Sequence, residues 1–187
     1  MSDADFLNAK INHGFDRLDV DGDGLLTEQD HVLMGQRVAG ALGHALGSPQ
    51  EQRITESFVR IWREVHAPHI PGGGATISRE QFVASTTTLA VDPQARSVLG
   101  AIAETYLAVA DTDGDGQVGL TEFRTFQRPL FPDLTDEAIN EAFAHLDTNA
   151  NGYLTTREFV DGLVEFWTST DPAAPGNWWM GRPTYAE

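Results

Sequence analysis

Residues 19–30 read DVDGDGLLTEQD. Oxygen-bearing side chains occupy the first, third and fifth places, glycine the sixth, an apolar residue the eighth and an acid the twelfth. The same spacing returns as DTDGDGQVGLTE at 111–122 and as DTNANGYLTTRE at 147–158. A hard cation is satisfied by roughly six to eight oxygens, and alternate residues of a tightly turning loop aim theirs at one centre. A turn that sharp disfavours a Cβ at the sixth place, where Gly24, Gly116 and Gly152 stand.

The spacing resembles the EF-hand calcium loop. On that resemblance loop one offers Asp19, Asp21, Asp23 and Asp30, loop three Asp111, Asp113, Asp115 and Glu122, and loop four Asp147, Asn149, Asn151 and Glu158. The seventh residue gives its backbone carbonyl whatever its side chain, so Leu25, Gln117 and Tyr153 complete the sets. At the ninth place Thr27 can reach the ion or its water, as can Thr155, while Gly119 leaves that place to water. The flanks agree. Ile11, Phe15 and Leu18 precede loop one; Ala103, Leu107 and Ala110 precede loop three; Ile139, Phe143 and Leu146 precede loop four. Each trio forms one face of an entering helix, and Phe123 and Phe159 open the exiting helices.

A fourth unit emerges when Phe82 is aligned with Phe123 and Phe159. Its loop then runs 70–81, with Ile77 at the eighth place beside Leu26, Val118 and Leu154. The would-be ligands are Ile70, Gly72 and Gly74, and the twelfth residue is Gln81. This unit has the framework of the others without their oxygens. The glycine run could instead cradle an anion at a helix start, but no Gly-Lys-Ser/Thr follows and the chain is strongly acidic. Ile77 suits a short antiparallel bridge to Leu26, so the second unit is expected to be retained as structure. Long helices are expected around 28–46 and 50–67.

The three ligand-bearing loops are not equivalent. Loop three combines four carboxylates with a Glu long enough to bind through both oxygens. Loop four has two carboxylates but keeps that Glu. Asp30 in loop one is one methylene shorter, which favours a smaller coordination shell and makes Mg²⁺ the strongest competitor there.

Composition sets the outer bounds. The 187 residues carry 28 acids against 12 Lys and Arg, a formal charge of -16. That charge repels phosphates, so neither nucleic acid nor an anionic membrane is an expected partner. No cysteine is present, hence no disulfide or thiolate metal site. The N-terminal MSDADFLNAK lacks the apolar run of a secretion signal, and no stretch has the ~18 apolar residues of a membrane span. The expectation is a cytoplasmic monomer with calcium as its ligand.

The order of loops, the ligand-free second unit and the tail sequence DPAAPGNWWMG resemble the sarcoplasmic calcium-binding proteins and their calerythrin-like bacterial members. That resemblance implies an all-α fold of four EF-hand helix–loop–helix units in two pairs, compact and globular, with short β bridges between paired loops. The expected organisation is an N-terminal pair over 1–91, a C-terminal pair over 92–170 and a tail over 171–187 packed on the core. Trp178, Trp179 and Met180 are large apolar residues that suit such docking. Three bound Ca²⁺ ions and a buffering or transporting role follow from the resemblance, with a sensor that regulates a partner protein as the alternative. The light-emitting photoproteins also resemble this arrangement. They need a Tyr, His and Trp set near the C-terminus, and no histidine follows His145 here. No nucleophile–base pairing is identifiable either, so catalysis is not expected.

Overall fold

A computed structural model describes residues 2–186. Helix α1 (Asp3–Leu18) starts at Ser2, whose hydroxyl accepts from the Asp5 amide. Its inward face holds Ile11 and Phe15, both fully buried. Strand β1 (Leu25–Thr27) leads into α2 (Glu28–Ala41), and α3 (Pro49–Ile61) follows. Helix α2 is shorter than the sequence suggests, because Gly43 adopts φ 84° and turns the chain out of the helix. Ser48 caps α3 and Pro49 occupies its first turn, where a missing N–H costs nothing.

After α3 the backbone widens into a π-helical turn, Trp62–His66. Strand β2 (Thr76–Ser78), α4 (Arg79–Ala90) and α5 (Ala95–Ala110) come next. Then follow β3 (Gln117–Gly119), α6 (Leu120–Leu130), α7 (Asp136–Leu146), β4 (Tyr153–Thr155) and α8 (Thr156–Thr168).

Two antiparallel bridges join the loops in pairs. Leu26 faces Ile77 between β1 and β2, and Val118 faces Leu154 between β3 and β4. All four side chains are buried. The eighth-place residues therefore meet as their alignment predicts, and the fold is the all-α, paired EF-hand arrangement.

A continuous apolar core runs through both pairs. Phe82 packs edge-on to Phe15 and to Trp167, linking α1, α4 and α8. Trp179 from the tail is 2% exposed and lies edge-on to Phe159 at 4.8 Å and near Phe123. Trp178 stacks on His145 at 3.8 Å. The tail reaches α8 closely because residue 176 is glycine: a Cβ there would collide with Glu165 and with the Gly162 carbonyl. A buried clamp ties it down. Lys10 Nζ donates to the carbonyls of Glu165 (3.0 Å) and Ser169 (2.6 Å) and to Asn177 Oδ1 (2.9 Å). Among the described residues no helix is long and apolar enough to cross a membrane.

Candidate metal centres and an adjoining cavity

Each ligand-bearing loop is organised first by its own backbone. In loop one the Asp19 carboxylate accepts from the amides of Gly22 and Gly24, both at 2.9 Å. In loop three Asp111 accepts from Gly114 (2.7 Å) and Gly116 (2.9 Å). In loop four Asp147 accepts from Asn151 (3.1 Å) and Gly152 (2.8 Å). The sixth-place glycines have φ of 84°, 83° and 86°, the left-handed region in which a Cβ is strained. The fourth place is also left-handed in all three, including Ala150 at φ 55°.

These turns gather the acids. Oxygens of Asp19, Asp21 and Asp23 lie within 4.8 Å of one another, and the same holds for Asp111, Asp113 and Asp115. That span suits one Ca²⁺, whose ligands stand at about 2.3–2.6 Å from the ion. Loop four brings Asp147, Asn149 and Asn151 onto the same turn, with Asn149 Oδ1 accepting from the Asn151 amide.

The twelfth residues sit in the first turns of the exiting helices, where they act as capping groups. Asp30 Oδ2 accepts from the Thr27 amide and hydroxyl, each at 2.8 Å, and its Oδ1 from the Val20 amide. Glu122 accepts from Gly119 and Thr112. Glu158 accepts from Thr155, Thr148 and Asn149. Burial alone would raise the Glu122 carboxyl, but the Gly119 and Thr112 donors outweigh it and hold the group below its ordinary range. Glu158 is lowered in the same way, with Thr155, Thr148 and Asn149 outweighing burial. Both are therefore ionised and close to their loops. Among the seventh-place residues, Leu25, Gln117 and Tyr153 each open a strand, so their carbonyls are fixed by the bridges.

Loop two keeps the scaffold alone. Gln81 caps α4 as the acids cap their helices, accepting from the Ser78 amide at 2.9 Å. Its left-handed residues, however, are Gly72 and Gly73, the third and fourth places; the sixth is Ala75, which is not left-handed, and Ile70 is buried where the other loops carry Asp. The backbone trace and the donor set have both changed.

A feature with no signature in the sequence pattern lies next to loop one. A cavity of about 570 Å³ opens among α2, α4, α5, α8 and the tail, lined mainly by apolar groups such as Leu18, Ile77, Phe82, Trp167 and Met180. His31, the residue after Asp30, is fully buried and lines it. Its Nδ1 lies 3.1 Å from the Thr27 carbonyl, and its Nε2 has no partner among the described residues. Burial drives the imidazole down to about 4, so it is neutral near pH 7. Tyr106 also lines the cavity, its phenol pushed up by burial. The π-helical turn contributes Val65 and His66 to the wall. No local spacing marks these residues as neighbours.

Helix–loop–helix units, loop-to-loop bridges and clustered acids make up the EF-hand arrangement, and the EF hand family model matches residues 102–127. The chain resembles calerythrin of Saccharopolyspora erythraea, 28% identical over 84% of this chain and 89% of that protein, and also sarcoplasmic calcium-binding proteins. It is 29% identical to the luciferin-binding protein of Renilla reniformis, over 92% of this chain and 91% of that one. Among solved structures, the coelenterazine-binding protein of Renilla muelleri in its calcium-loaded apo form superposes with a TM-score of 0.78. That match is 26% identical and covers 97% of this chain and 99% of that one.

Proposed function

We propose that the chain binds three calcium ions, at loops one, three and four, and buffers or transports calcium in the cytoplasm by uptake and release. The observation that carries this reading is a contrast between loops. Three share a left-handed sixth-place glycine and a first-place carboxylate held by backbone amides, and loop two has neither. The proposed ligands are those named above, with Mg²⁺ competing most strongly at loop one. The N-terminal pair (1–91) and C-terminal pair (92–170) are read as the binding units and the tail (171–187) as their clasp.

Burial of Trp179 and Met180 supports a buffer over a sensor. A sensor displays an apolar, often Met-rich groove when calcium arrives, whereas here the tail occupies apolar surface and only Met34 and Met180 follow Met1. The reading includes a monomer, no nucleic-acid or membrane partner, and no catalytic step. Calorimetric titration with calcium is expected to give three sites, and a fourth would overturn the assignment of loop two. A strong calcium-dependent rise in the fluorescence of a hydrophobic dye would overturn the buffer in favour of a sensor.

The cavity favours a second reading, in which calcium binding accompanies carriage of a small molecule. Its volume lies in the range of ligand pockets, about 300–1,000 Å³, and relatives are named for binding luciferin and coelenterazine. Equilibrium dialysis against coelenterazine, with calcium and with a chelator, tests this reading. Retention under either condition supports it, and retention under neither removes it.

A further inference from the structure

His31 is the polar feature of the cavity that its surroundings leave incomplete. The Thr27 carbonyl can only accept, so Nδ1 carries the ring proton, and in the neutral ring Nε2 then presents a lone pair. That atom is sealed from solvent and has no partner among the described residues. An unmade hydrogen bond at a buried polar atom costs free energy, and Nε2 belongs to a ring that borders a cavity large enough for a guest. The ring itself is held in place. It packs against Trp62 at 5.6 Å and His66 at 5.3 Å, both on the π-helical turn, while Thr27 fixes its other edge. Such turns within helices are frequent at functional sites. The remaining wall is rich in rings, including Phe82, Tyr106 and Trp167, which offer faces and edges to a flat guest.

We propose that the cavity selects a neutral, ring-bearing molecule by accepting a hydrogen bond from the guest's N–H or O–H group at His31 Nε2. This rests on the second reading above, that the cavity holds a small molecule, and adds what the guest must carry. A carboxylate or other acceptor-only guest leaves the histidine unsatisfied and is disfavoured. So is a guest of the same shape without a donor, because a site built around a buried hydrogen-bonding atom discriminates strongly against analogues that lack the partner.

The test uses two probes of nearly equal shape, 2-naphthol and 2-methoxynaphthalene, measured by equilibrium dialysis with the full chain in saturating calcium. The wild-type chain is expected to prefer the naphthol by about tenfold. His31→Phe is expected to bind both equally, and His31→Gln, which restores an acceptor, to regain part of the preference. A second measurement needs no variant. Nitrogen NMR of the imidazole in the wild-type chain should report a shift of Nε2 with the naphthol and a much smaller one with the ether. Preference that survives His31→Phe, or equal binding of the two probes by the wild type, overturns the role of His31 while leaving the cavity reading intact. Failure of both probes to bind the wild type removes the inference together with that reading.

Discussion

At the scale of single residues the loops differ most at their twelfth place. Asp30, Glu122 and Glu158 all cap an exiting helix, so each already sits where a twelfth ligand must sit. What separates them is reach. Asp30 is 1% exposed and is held by Val20 on one side and Thr27 on the other, with one methylene fewer to turn toward an ion. Asp30→Glu is therefore expected to raise calcium affinity at loop one about tenfold while changing magnesium little, because only the larger ion uses both oxygens. Competition calorimetry measures it, and parallel gains for both ions would contradict the argument from reach. The position of the twelfth-place acids in the first turn of each exiting helix was legible in the sequence because a loop spacing is local. His31 was not, although it is the very next residue, because nothing in the spacing of α2 says that its side chain borders a space made by other helices.

At the scale of elements the bridges were legible and the clamp was not. Ile77 could be set against Leu26 by alignment alone, since the eighth place of one loop meets the eighth place of its partner. Lys10 reads as an ordinary polar position on an amphipathic helix. It is buried because Asn177, 167 residues later, and two carbonyls at the end of α8 supply its acceptors. Burial draws its ammonium down to about 8, against the pull of the Glu165 carboxylate, which favours the charged form. Lys10→Met keeps the bulk and strips the donors, leaving buried oxygens unpaired. It is expected to cost about 2–4 kcal/mol and to loosen the tail, so that the Trp178 and Trp179 emission moves to the red. Chemical denaturation and tryptophan fluorescence check both parts. A stability loss without any spectral change would show that the clamp supports α8 alone.

At the scale of the whole molecule the acidic charge and the fold are opposed until cations arrive. Loops one and three each crowd three Asp carboxylates within 4.8 Å, on a chain of formal charge -16. Three calcium ions would bring that charge to -10 and replace repulsion inside each loop with coordination. Because the bridges fasten loop to loop, strain in an ion-free loop passes through β1–β2 and β3–β4 into the shared core. Calcium binding should then be linked to stability, since an ion that binds the native loops and not the unfolded chain favours folding. Removal of calcium with a chelator is expected to lower the melting temperature by well over ten degrees, taking a 1 kcal/mol change as roughly 2–4 °C for a chain of this size. Screening gives the diagnostic. Raising potassium chloride from about 10 mM to 300 mM shortens the range of charge repulsion, so it should raise the melting temperature of the calcium-free chain clearly and that of the loaded chain little. Equal salt responses in the two forms would mean that charge repulsion is not what loosens the ion-free protein, and that the effect of calcium lies in the loop backbone alone.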